Sequence, residues 1–215
     1  MFTGIVTAIG TITQAQDLGP SLRRFLIACP WPADDIEIGA SIACAGICLT
    51  VTGLLPRPDG APGCLFQVEA AAETLEKTLA RRWQDGTRVN LERSLKMGDE
   101  LGGHLVTGHV DGIGEIVRVE PIESDPSAPW GATARFHIRA PRELARFIAA
   151  KGSICLDGTS LTVNTVEDDV FSVLLIPHSF SVTTWGERTQ GDAVHLEVDL
   201  MARYAARLAE ERPAG

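Results

Sequence analysis

The chain has 215 residues, 45% of them hydrophobic and 22% charged, which suits two compact domains of about 100 residues and excludes global disorder. A formal net charge of -9 argues against a partner whose phosphates must be tracked, and one Tyr and seven Phe leave few rings for stacking bases. Five cysteines at irregular spacing, with no CxxC pair, exclude a disulfide framework and a zinc site.

In chain order, the opening MFTGIVTAIG has neither a basic head nor a cleavage site, and no apolar run approaches the roughly 20 residues of a membrane span. A cytoplasmic protein is expected. Gly4 to Gly10 reads as a first strand, followed by short runs rich in Val, Ile, Thr and Phe at Arg24–Cys29, Cys48–Leu55 and Leu65–Ala70. A helix is predicted over Ala71–Arg82, and the polar, Gly-containing stretch Lys96–Gly103 reads as a linker. Beyond it come a strand at Gly108–Gly114, a solvated excursion at Pro121–Gly131, and strands at Thr133–Arg139 and Val170–Leu175. A helix is predicted over Pro141–Ala150, with proline in its first turn. The last helix, Leu200–Glu211, lines Leu200, Tyr204, Ala205 and Leu208 along one face, suited to capping a barrel or to self-association.

An internal repeat organises these elements. GIVTAIG from Gly4 returns as GHVDGIG from Gly108; ASIACAGICLTV from Ala40 returns as GSICLDGTSLTV from Gly152; DGTRVNLE from Asp85 returns as QGDAVHLE from Gln190. Many short strands in two copies predict an all-β fold of two closed antiparallel barrels, since closure removes exposed edges. The expected domains are residues 1–97 and 98–198, with an oligomerisation helix and tail at 199–215.

Among candidate chemical residues, His104 and His109 are five apart, on opposite faces of a strand, so a shared metal is not expected and each can be a satisfied structural histidine. Cys48 in a strand can be a small hydrophobe, yet its repeat counterpart is Ser160, and Thr50 and Thr162 follow two residues on, so a thiol or hydroxyl pair lines one wall of each barrel. Glu73 and His178 are equivalent positions, where a solvated helix start is an adequate reason for an acid, and Lys151 can be an ordinary surface charge. GIVTAIG lacks the context of a dinucleotide fingerprint.

MFTGIV, GASIACAGICLTV, LGGHLVTGHVDG and a second LTV followed by LIPH together resemble the riboflavin synthase family over nearly the whole chain. The resemblance implies two six-stranded Greek-key barrels and a C-terminal helix that supports a homotrimer. It further implies a transferase that dismutates two 6,7-dimethyl-8-ribityllumazine molecules to riboflavin and a diaminopyrimidinedione, with no metal and no cofactor. Its site lies between the N-terminal barrel of one subunit and the C-terminal barrel of the next, with two substrate molecules per site.

Carried over by motif, Gly4, Ile5 and Val6 are expected to contact the pteridine, with Cys48, Leu49 and Thr50 on the next wall. Glu69, Ala70, Ala71, Ala72, Glu73 and Thr74 continue that pocket, joined by His109, Val110, Asp111 and Lys151. A second pocket takes Ser160, Leu161 and Thr162 with Leu174, Leu175, Ile176, Pro177 and His178. Catalytic roles are expected for His109 as a base and for Cys48 and Ser41 as groups that add to the acceptor ring or orient water. Ala45 stands where some members carry Asn, which removes a side-chain hydrogen bond. The rival readings are a non-catalytic antenna protein, which needs one competent pocket, and a flavin reductase, which lacks its nicotinamide domain here.

Overall fold

The computed structural model describes residues 1–122 and 133–210. Twelve strands form two closed antiparallel barrels. The first contains β1 (Ala8–Asp17), β2 (Leu22–Cys29), β3 (Ser41–Cys44), β4 (Ile47–Pro56), β5 (Cys64–Ala71) and β6 (Arg88–Arg93), in the spatial order β1-β2-β5-β4-β3-β6. The second contains β7 (Gly112–Ile122), β8 (Thr133–Arg139), β9 (Ser153–Leu156), β10 (Thr159–Glu167), β11 (Val170–Leu175) and β12 (Ala193–Val198), with the same connectivity. This is the expected duplicated Greek-key architecture; five of the seven expected strands lie within these strands, while those expected at Gly4–Gly10 and Gly108–Gly114 begin only at Ala8 and Gly112. Most of the excursion expected at Pro121–Gly131 lies outside the described residues.

Alternation along each strand fills both barrels. Phe25, Ile27, Ile42, Leu49, Val51, Phe66 and Leu91 close the first interior, and Ile116, Phe136, Ile138, Phe171, Val173 and Leu196 the second. Each such side chain contributes about 1.5–3 kcal/mol by burial, so no small molecule can enter without displacing them. Binding chemistry must therefore sit on the outer faces.

The helices are shorter than their sequence patterns suggest. Over Ala71–Arg82 the chain forms α1 (Ala72–Lys77), breaks at Thr78, and resumes as a 3-10 turn at Leu79–Arg82. The Thr78 hydroxyl causes the break: it donates to Thr74 O at 2.5 Å and accepts from Ala80 N–H at 3.1 Å, replacing helix bonds with a cap. Within Pro141–Ala150 only α2 (Arg142–Ala145) is α-helical. The second copy has α3 (Pro177–Val182), and the chain continues into α4 (Leu200–Glu210). Glu211 lies outside the described residues. Among the described residues no helix is long and apolar enough to cross a membrane.

The barrels meet across a pseudo-two-fold axis. The β3–β4 and β9–β10 hairpins turn at Ala45-Gly46 and Asp157-Gly158, all four residues at positive φ, and a Cβ on Gly46 would lie 2.8 Å from Gly158 N. Only glycine allows the two turns to touch there. From the N-terminal barrel, Asn90 donates to Asp157 O at 2.9 Å and accepts from Thr184 N–H at 2.8 Å. From the C-terminal barrel, His195 replaces that amide: Nδ1 bonds Ala45 O at 2.7 Å and Nε2 accepts Leu79 N–H at 2.8 Å.

These bonds require neutral His195, with the proton on Nδ1. Burial depresses its pKa, outweighing the Asp157 carboxylate 3.5 Å away, which pulls the other way; Arg188, paired with Asp157, reinforces the depression. Because the folded value is lowered, this contribution is complete above the unfolded histidine pKa of about 6.5 and is lost as pH falls below it. His195→Asn should retain both bonds, as Asn90 does, and remove the titration. Denaturation midpoints measured from pH 7.5 to 5 should fall less steeply in the variant than in the parent, and equal slopes would refute the assignment.

Candidate functional site

Two segments outside the barrels cross between them and pair with each other: Phe2 N–H donates to Val106 O at 2.8 Å and Val106 N–H to Phe2 O at 3.1 Å. Phe2, Val106, Ala43 and Cys155 form a small buried cluster, with Cys48 packed against it. Past this crossing, each segment lies against the opposite barrel. Gly108 O accepts Cys48 N–H at 2.9 Å, and Gly4 O accepts Ser160 N–H at 2.7 Å. A Cβ on Gly108 would stand 2.6 Å from Cys48 Cβ, and one on Gly4 2.6 Å from Ser160 Cβ, and both glycines have positive φ. The approach demands glycine twice over.

Each crossing segment is gripped by a buried glutamate. Glu92 Oε1 accepts Thr3 N–H and Thr3 Oγ, each at 2.7 Å, while Oε2 accepts Gly4 N–H at 2.9 Å. Glu197 accepts Thr107 N–H, Thr107 Oγ and Gly108 N–H at the same three distances. Burial raises the Glu92 pKa, and the three donors oppose that rise. Sequence reasoning missed both glutamates, although the LE shared by VNLE and VHLE marked them.

On the first outer wall, Cys48 faces a cavity of about 270 Å³ lined by Glu73, Thr74, Lys77, Gly108, His109 and Val110, among others. Four sequence-predicted groups, Cys48, Glu73–Thr74, His109 and Val110, therefore converge. Thr50 is exposed on the same outer face and pairs with Ser41, while Cys48 pairs with Ala43. Ser41 is a diagonal neighbour of Cys48 and lines a separate cavity of about 180 Å³ with Asp35, Arg93 and Lys96.

Gly4, Ile5 and Val6 were expected beside Cys48, but the structure sets Gly4 against Ser160. Sequence periodicity cannot reveal a crossing, because both copies share one pattern. Leu49, Ala70 and Leu175 point into the barrel cores, and Leu161 packs against the second core. Only the alternate residues of their strands face outward, so any contact from Leu49, Ala70 or Leu175 must come from backbone, while Leu161 is half-buried. Glu69 pairs with Arg24 at 2.8 Å. Ala71, Ala72 and Glu73 are exposed at the start of α1. Asp111 binds Arg203 of α4 at 2.7 Å and accepts Val198 N–H at 2.9 Å, so its carboxylate is occupied in anchoring the tail.

On the second wall, Ser160 Oγ and His104 Nδ1 share a 2.7 Å hydrogen bond, and a Cβ on Gly103 would lie 2.9 Å from that oxygen. Burial lowers the His104 pKa and favours the neutral ring. His104 and His109 thus serve different walls. Thr162, Leu174, Ile176 and His178 are exposed, with Pro177 at the first turn of α3. Lys151 is exposed at φ +69°, its N–H bonded to Val163 O at 2.7 Å.

Residues 3–94 and 107–199 each match the lumazine binding domain family, the matches opening on the two threonines gripped by Glu92 and Glu197. The chain is 54% identical over 212 residues to riboflavin synthase of Brucella abortus, covering 98% of both chains. It is 35% identical to riboflavin synthase of Bacillus subtilis, covering 96% of this chain and 89% of that one. The chain belongs to the riboflavin synthase family. Its fold also matches LumP complexed with riboflavin, with a TM-score of 0.75, 23% identity and coverage of 92% of this chain and 99% of that one. In this family member the duplication yields two unequal walls, one with an open thiol and one with a hydroxyl held by histidine.

Proposed function

We propose that the protein is a riboflavin synthase, a transferase that moves a four-carbon unit between two 6,7-dimethyl-8-ribityllumazine molecules, giving riboflavin and 5-amino-6-ribitylamino-pyrimidinedione. The carrying observation is the pair of composite outer walls, Cys48 with Gly108 and Ser160 with Gly4, produced by one duplication. A reaction between two identical molecules in different roles needs two related but unequal sites. Holding both rings in register makes the step effectively unimolecular, an effect worth up to about 7–11 kcal/mol.

Within this reading, one lumazine loses a proton from a ring methyl and its carbanion attacks the other ring. His109, exposed at the mouth of the Cys48 cavity, is placed to assist that proton transfer. Cys48 adds to the acceptor ring or orients water there, and Ser41 acts from the adjoining strand. The open thiol favours the Cys48 wall for the acceptor. No metal or cofactor is required by this chemistry.

The site is completed, in this proposal, between the N-terminal barrel of one subunit and the C-terminal barrel of its neighbour in a cytoplasmic homotrimer, with two substrate molecules at each site. Support comes from α4, which has no buried residue and is held to its own barrel by the ion pairs Arg203–Asp111 and Arg146–Glu210. Tyr204 and Leu208 are 60% and 70% exposed, an apolar face without a partner in the single chain. The domain limits 1–97 and 98–198 are proposed from the two closed barrels, and 199–215 from α4.

Protein mixed with the lumazine alone should form riboflavin, followed by its absorbance, and Cys48→Ala should lower kcat roughly tenfold or more with little change in ligand affinity. Binding without any turnover would favour the antenna reading. Chain lacking residues 201–215 should sediment as monomer while the intact protein sediments at three chain masses, and a trimer surviving truncation would place the interface elsewhere.

A further inference from the structure

We propose that Glu197 and Glu92 are positioning residues that act across the barrel boundary: Glu197, in the C-terminal barrel, sets the Cys48 wall, and Glu92, in the N-terminal barrel, sets the Ser160 wall. The assignment deepens the synthase reading and rests on it for its bearing on turnover.

The chain of contacts is continuous and occurs twice. A carboxylate takes three donors from a Thr-Gly pair, and the glycine carbonyl then takes the N–H of the wall residue, Cys48 or Ser160. Both glutamates are almost fully buried, Glu92 at 6% and Glu197 at 3% exposure, and three donors converge on the two oxygens of each. An ionised carboxylate can accept all of them; the amide of glutamine cannot, because its NH₂ would face a backbone N–H. Neither carboxylate lines the Cys48 cavity, so neither contributes by touching substrate there.

The direction of influence follows from the crossing. Thr107 and Gly108 lead directly into His109, so a shift at Glu197 moves the histidine and the backbone against Cys48 together. The hydrogen bonds of the Glu92 carboxylate go to Thr3 and Gly4 instead. Loss of either bond set leaves buried donors unpaired. The pseudo-symmetry supplies its own control, because Glu197→Gln and Glu92→Gln remove equivalent interactions from equivalent strands.

Cys48 is the one cysteine of the five that is not fully buried, so its alkylation by iodoacetamide in the folded protein reports on its wall alone. Glu197→Gln should change that rate at least threefold and Glu92→Gln should leave it within experimental error, while both lower kcat roughly tenfold. Should either glutamine variant fail to fold, Thr107→Val and Thr3→Val, which remove the hydroxyl donor to the glutamate and, at Thr3, also the acceptor of Ile5 N–H, should show the same one-sided effect on alkylation. Equal effects within a pair, or no effect from either member, would overturn the assignment. If the parent makes no riboflavin, the synthase reading fails, while the alkylation comparison still decides the positioning role.

Discussion

Each half of the molecule depends on a Thr-Gly pair being held by a carboxylate that belongs to the barrel the chain is about to enter. The grip on Thr3-Gly4 and Thr107-Gly108 fixes the two chain segments that cross between the barrels. It also delivers a glycine carbonyl to the backbone of the opposite outer wall. Because the barrel interiors are filled, those walls are where the fold can offer binding surface. Neither wall is the property of a single barrel.

Symmetry at the backbone coexists with divergence at the side chains. Asn90 and His195 perform one bridging task with an amide and an imidazole, and Ala45 and Asp157 occupy one turn position with a methyl and a buried carboxylate respectively. Cys48 opens on a cavity, whereas Ser160 is held by His104, just past the linker, a residue with no counterpart in the first copy. Asp111 binds Arg203 of α4, where the first copy has Thr7. Such differences suit two copies of one ligand asked to play different parts.

Much of this was legible in the chain. Period-two alternation and turn glycines gave the strands, and the repeated LTV segments gave the duplication and the outward positions of Cys48, Thr50, Ser160 and Thr162. What escaped were relations between the copies. Gly4 and Gly108 are equivalent in sequence, so pairing each with the wall of its own repeat is the natural inference, and only the crossing reverses it. Asp111 read as a ligand contact because its true partner lies in α4, some ninety residues on. Thr78 hid a helix break, since a hydroxyl cap leaves the apolar spacing intact. Glu92 and Glu197 sat in strands as ordinary charged residues, and their burial comes from segments far away in sequence.

The central claim is that one chain carries two usable walls made by exchange between its halves. Equilibrium titration of the intact protein with a non-reacting lumazine analogue, followed to saturation by calorimetry, tests it most directly. Two molecules bound per chain, with distinct affinities, is the predicted outcome. Saturation at one per chain, with the Ser160 wall still closed by His104 and Gly103, would contradict the account.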